Sequence, residues 1–136
     1  MSRIPLLALL ISTLAACGGS NVTDGLTGDP VEGANVFAAN CASCHGADLA
    51  GGEMAPSLTG GEFTANWNDL SLGDLYERLR ISMPQSAPGS LSRQQNSDIL
   101  AYVLRKMNAP VGTTEVSTVT EELKGIKFLA AKPGGN

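Results

Sequence analysis

The chain has 136 residues, 43% hydrophobic but only 4% aromatic, which suffices for one small domain with a thin core of its own. Its formal charge is −4, and without the first sixteen residues, which hold Arg3 as their one charged side chain, eight Lys and Arg face thirteen Asp and Glu, a net −5. That balance excludes a nucleic-acid binder, which needs clustered cations to displace counterions from phosphates. No charge run stands out, so the acidity reads as a solvated surface, able as well to steer a basic partner.

Residues 1–16 read as an export signal. Arg3 supplies a small positive start, and Ile4 to Ala16 an apolar run too short to span a bilayer. The run ends in Leu14-Ala15-Ala16-Cys17, which resembles a bacterial lipobox, where the cysteine is acylated and becomes the mature N-terminus. The alternative is an ordinary signal peptide cut near Cys17, which leaves an unpaired exported thiol. Acyl chains contribute about 0.8 kcal/mol per buried CH₂, so several anchor firmly where one does not. Gly18 to Asp29 is rich in Gly, Asn, Thr and Asp without apolar periodicity, a flexible tether reaching roughly 20 Å. The expected division is therefore a signal at 1–16, a lipidated cysteine and tether at 17–29, and a domain at 30–136 whose last part, 108–136, is an extension.

Asp29-Pro30-Val31-Glu32 opens a helix: Asp29 as cap, Pro30 at the first helical position, Glu32 as partner in a capping box. Val31, Ala34 and Ala38 form its expected apolar stripe, and it runs toward Cys41. Gly33 within it costs about 0.5–1 kcal/mol relative to Ala, a cost that close approach of another helix explains.

Cys41-Ala42-Ser43-Cys44-His45 follows, the C-x-x-C-H attachment signal of a c-type haem. Two thiols three positions apart can add across the two vinyl groups of one porphyrin, and the adjacent imidazole then lies beneath the iron as proximal ligand. A redox dithiol would want a βαβ context and a zinc site a second ligand pair; neither is present, and His45 is the single histidine. A porphyrin would also supply the apolar volume that six aromatic residues do not.

Gly46 to Gly61 reads as an irregular loop around the haem. Ser71-x-x-Asp74 opens a second helix with Leu72, Leu75, Tyr76 and Leu79 on one face. It ends before Pro84, which disfavours helical geometry at Met83. Ser92-x-x-Gln95 caps a third helix with Ile99, Leu100, Val103, Leu104 and Met107 as its apolar face and Tyr102 on the flank. Beyond Asn108 come Pro110, Gly112, Thr and Val, then a short amphipathic stretch around Leu123, Ile126 and Phe128. With no repeats and no convincing sheet, the fold class is all-α, three main helices and loops around one covalent haem.

The iron's sixth position is closed by a methionine or left open. Met107 lies on a helix stripe, where a core role is the better reading. Met54 is nine residues past His45, a short path around the porphyrin edge. Met83 lies in Ser82-Met83-Pro84 between two helices, where Pro84 favours an extended conformation suited to presenting a thioether; it is the preferred ligand, and His/Met ligation raises the reduction potential.

These residues resemble the class I cytochrome c family: Gly33-x-x-x-Phe37, Cys41-x-x-Cys44-His45-Gly46, Ala55-Pro56-x-Leu58, Ser82-Met83-Pro84 and Ala101-Tyr102. The resemblance implies that Gly33 and Phe37 cross the last helix near Tyr102. It further implies that the Pro56 carbonyl accepts a hydrogen bond from the His45 ring, and that Trp67 donates to a haem propionate unless it is a simple core aromatic. Arg78 and Arg80 are either propionate partners or exposed helix charges. A narrower resemblance, on Met83-Pro84-Gln85-x-x-Pro88-Gly89-Ser90-Leu91-Ser92 and Asn108-x-Pro110-x-Gly112-x-x-Glu115, is to the cytochrome domains and partner cytochromes of PQQ-dependent alcohol dehydrogenases. Val116-Ser117 stands where those relatives commonly carry Leu-Pro.

The function expected is a membrane-anchored periplasmic carrier of single electrons, not an enzyme. Its expected partners are periplasmic redox proteins: a dehydrogenase of the PQQ type as donor and a terminal oxidase or cytochrome as acceptor. A haem-based redox or gas sensor with an open or labile sixth position is the alternative. A peroxidase-like role lacks a distal histidine or an acid–base pair near the motif.

Overall fold

The structure, a computed structural model, describes residues 28–109 and 116–129. The predicted signal, Cys17 and the tether up to residue 27 lie outside the described residues, as do Pro110, Gly112 and Glu115. Six helices succeed one another: α1 (Pro30–Asn40), α2 (Ala42–His45), α3 (Gly60–Trp67), α4 (Leu72–Ser82), α5 (Arg93–Lys106) and α6 (Thr120–Lys124). Among the described residues the one β pairing outside helices is an isolated antiparallel bridge between Ser71 and Lys127.

The helix starts follow their local chemistry. Ser71 and Asp74 form a reciprocal capping box, as do Ser92 and Gln95. Asp29 caps α1 by accepting the Val31 N–H at 2.7 Å, with Pro30 at the first helical position. Glu32 does not complete a box there, because the Asp29 N–H is taken by Asp98 Oδ1 from α5 at 2.8 Å.

The crossing of α1 and α5 is the frame of the domain. Gly33 lies so close to α5 that a Cβ there would stand 1.9 Å from the Asp98 carbonyl oxygen. This contact turns Gly33 and Phe37 inward and places the Phe37 and Tyr102 rings 5.5 Å apart. The stripe expected from Val31, Ala34 and Ala38 is therefore not the buried face: Val31 is 59% exposed and Ala38 is exposed. The periodic alanines lost to one glycine that permits backbone contact.

Leu72, Leu75 and Tyr76 of α4 and Ile99, Leu100, Val103 and Leu104 of α5 fill the core as expected, with Leu79 and Met107 packed at its margin. Two elements go beyond the sequence reading. Helix α3 occupies a stretch where no helix was expected and begins at the last two residues of the predicted loop. The tail folds back over the domain, burying Leu123 and Phe128. The Phe128 N–H donates to Leu70 O at 2.7 Å, and the Leu72 N–H to Ile126 O at 2.7 Å. Ser97 Oγ ties the start of the tail to α5 by donating to Val116 O at 2.7 Å.

Candidate haem site

The loop after α2 is built to hold one imidazole. The Gly51 N–H donates to His45 O at 2.8 Å, the Gly52 N–H to Ala55 O at 2.9 Å and the Leu58 N–H to Leu49 O at 2.9 Å. Ser57 Oγ donates to Leu49 O at 3.0 Å. Gly51 has φ +81° and sits where a Cβ would be 2.5 Å from Ser57 N and 2.7 Å from Pro56 C, so only glycine lets the two limbs of the loop close. Leu49, fully buried, also takes a left-handed φ of 64°, a strain held by the surrounding bonds.

This closure brings Pro56 O to 2.8 Å from His45 Nδ1. A carbonyl oxygen only accepts, so Nδ1 carries the proton in that bond. The neutral ring therefore keeps its lone pair on Nε2, the tautomer a metal-binding histidine needs. His45 is itself buried.

His45 opens onto a cavity of about 360 Å³ whose wall also includes Cys41, Cys44, Met54, Pro56, Phe63, Trp67, Arg78, Leu79, Met83, Leu100 and Val103. A predominantly apolar wall with a few converging polar or sulfur groups is the ordinary make-up of a cofactor pocket. Met83 reaches it from the C-cap of α4, with φ −122° and ψ 153°, the extended geometry expected before Pro84. Met54 stands at the cavity too, but is 78% exposed; Met107 does not line it.

Trp67 is half-buried on the wall, its ring 6.2 Å from Phe63. Arg80 is engaged elsewhere, in an ion pair with Glu77 at 2.7 Å, whereas Arg78 is exposed and lines the cavity. Phe63 was not singled out by sequence reasoning; its spacing of four from Trp67 was the available signal.

Cys41 and Cys44 are not joined to each other by a disulfide. Burial first, and Cys44 beside it second, push the Cys41 thiol up to about 11. A reactive dithiol has a nucleophilic cysteine shifted the other way, so the pair suits a cavity wall better than disulfide exchange. Among the described residues no group of three or more His, Cys, Asp or Glu side chains converges on a metal position, which disfavours the zinc alternative. Two thiols three apart, an imidazole with Nε2 free and an apolar cavity beside them fit a porphyrin joined through thioethers.

Comparison with known proteins agrees. The family described as cytochrome c oxidase, cbb3-type, subunit III matches residues 28–103. Cytochrome c6 of Nostoc is 37% identical over 93 residues, covering 62% of this chain and 77% of that protein. The cytochrome c subunit of the cytochrome bc1 complex of Corynebacterium diphtheriae is 28% identical over 96 residues, 68% of this chain. The match spans a third of that longer protein. Among solved structures, the sulfane dehydrogenase SoxCD of Paracoccus pantotrophus is similar with a TM-score of 0.52 and 27% identity, over 75% of this chain and 54% of that one. With more than half of its length matched and the C-x-x-C-H motif in place, the chain belongs to this cytochrome c family, an all-α electron-carrying domain whose cofactor is covalent haem c.

Proposed function

We propose that the protein is a membrane-tethered periplasmic carrier in which His45 and Met83 are the two axial ligands of a single haem attached at Cys41 and Cys44. The observation that carries this reading is the His45 Nδ1–Pro56 O bond at 2.8 Å in a ring facing the same cavity as Met83. When bound, haem supplies a one-electron Fe(II)/Fe(III) couple.

The chain's own residues do the rest. Pro56 fixes the imidazole plane and tautomer, so Nε2 needs no reorientation between redox states. Met83, extended between α4 and the following loop, offers a neutral thioether, which favours the lower iron charge and raises the potential. Phe63, Leu79, Leu100 and Val103 keep the cavity apolar, and Trp67 with Arg78 supplies donors for propionates at its edge. Cys41 and Cys44 prevent loss of the cofactor during turnover with partners.

Acylation at Cys17 would place the domain within reach of membrane redox complexes. Relatives named as a bc1-complex subunit and as part of a sulfane dehydrogenase support redox proteins as partners. The loop from Met83 to Ser92 points to a PQQ-type dehydrogenase as donor, with a terminal oxidase or cytochrome as acceptor; such contacts should be small and brief.

Peptide mass spectrometry of the holoprotein, with reduction assays against candidate dehydrogenases, tests the proposal. One haem on the peptide bearing Cys41 and Cys44, and reduction by a PQQ-type donor, are expected. An unmodified peptide would overturn the attachment, and reduction only by unrelated donors would overturn the partner assignment.

A further inference from the structure

Helix α3 stands apart from the other helices around the cavity. It spans eight residues, opens on Gly60-Gly61 and has no side-chain hydrogen bond at its N-cap, Thr59. A helix this short does not hold itself in water. The well-packed helix pairs among the described residues are α1–α5, α4–α6, α4–α5 and α1–α2, and α3 belongs to none. Yet it carries Phe63 and Trp67, both on the cavity wall.

What meets α3 from outside is the tail. Phe128 is 1% exposed and stands edge-on to Phe63, with centroids 6.1 Å apart and planes at 89°; it does not line the cavity itself. The tail backbone is fastened just past the end of α3, where the Asp69 N–H donates to Phe128 O at 3.0 Å and the Phe128 N–H to Leu70 O at 2.7 Å. Behind it, α6 lies so close to α4 that a Cβ on Gly73 would stand 2.7 Å from Lys124 N. Thr120 Oγ1 donates to the Glu77 carboxylate, and Tyr76 Oη to Thr118 O at 3.2 Å. The tail is thus locked on one side and pressed on α3 by the other. The family match ends at residue 103, so this brace comes from sequence beyond it.

We propose that residues 116–129, acting through Phe128, are a positioning element for the redox centre. Phe128 seats α3 so that Phe63 and Trp67 close the cavity against water, and this dry wall keeps the reduction potential up. The physical reason is charge: the oxidised iron carries one positive charge more, and admitted water stabilises that state preferentially. The inference rests on the haem reading above.

The test compares holoprotein of wild type, F128A and F128L. In F128A the midpoint potential should fall, and amide exchange across residues 60–68 should quicken at least tenfold with α1 and α5 unchanged. Emission from Trp67, the single tryptophan, should rise as the ring moves away from its haem quencher. F128L keeps an apolar group in the slot and should lie between the two; if F128A yields no holoprotein, F128L carries the test alone. Wild-type potential and exchange in the variants, or a potential shift accompanied by equal loosening of α1 and α5, would overturn the brace. Wild-type protein without attached haem would overturn the underlying reading instead, and attached haem with unaffected variants would overturn the brace alone.

Discussion

Replacing Gly33 with alanine tests the frame on which the site is hung. The added methyl would lie 1.9 Å from the Asp98 carbonyl oxygen, 2.5 Å from its carbon and 2.9 Å from Tyr102 Cβ. The first two obstacles are backbone, so no side chain can swing aside. Clearing even 3.0 Å requires α1 and α5 to part by 1.1 Å, which would stretch the 2.8 Å bond from the Asp29 N–H to Asp98 Oδ1 out of hydrogen-bond range. Overpacking costs about 1–3 kcal/mol and a lost bond to a carboxylate about 1.5–3 kcal/mol. The gain from removing a helical glycine offsets about 0.5–1 kcal/mol. The net expectation is a loss of about 2–5 kcal/mol, seen as a lower guanidinium midpoint of the holoprotein followed by both circular dichroism and the haem band. A loss below about 0.5 kcal/mol, inside the range of ordinary surface changes, would refute the crossing.

Gly51→Ala, forced to adopt φ +81° against the Ser57 and Pro56 backbone, should cost about 1–3 kcal/mol and weaken the His45–Pro56 bond, read as a raised midpoint potential because the imidazole becomes a poorer donor to the oxidised iron. Glu77 has a carboxyl held at about 2, below its usual 4.5, by its hydrogen bonds from Arg80 and then Thr120. Its contribution is therefore complete above pH 4.5 and lost as pH falls from 4.5 toward 2. The Glu77 side chain is 28% exposed, so screening limits the effect to about 1 kcal/mol, and Glu77→Gln should flatten that part of the stability–pH curve in acid unfolding. Cys17→Ser should shift the protein from the membrane fraction to the soluble periplasm or leave the signal uncleaved; unchanged fractionation with normal processing would rule out the lipid anchor.

The elements readable in the sequence were those with local chemical signatures. The Ser71–Asp74 and Ser92–Gln95 boxes fixed two helix starts, and Pro84 fixed the end of α4 at Met83. The C-x-x-C-H run marked the site because its spacing encodes attachment rather than packing. Periodicity alone put the buried face of α1 on Val31, Ala34 and Ala38, whereas the face that is buried, the Gly33 and Phe37 face implied by the family resemblance, has its register set by Asp98 and Tyr102, sixty-five positions further along the chain. Glu32 lost its predicted role to the same distant carboxylate. Helix α3 has a weak start at Gly60-Gly61 and exists by virtue of what packs on either side of it, so periodicity offered little beyond Phe63 and Trp67. The tail's docking depends on Phe128 meeting Phe63 and on backbone pairing with Asp69–Leu72, neither of which has a local signal.

The most direct measurement is the absorption spectrum of the holoprotein, oxidised and reduced, with and without carbon monoxide, beside that of Met83→Ala. The account predicts a low-spin haem indifferent to carbon monoxide in the wild type, and in the variant loss of the methionine–iron charge-transfer band with carbon monoxide binding on reduction. A wild type that is high-spin or binds carbon monoxide would contradict a closed carrier site and favour a sensing role for an open iron position.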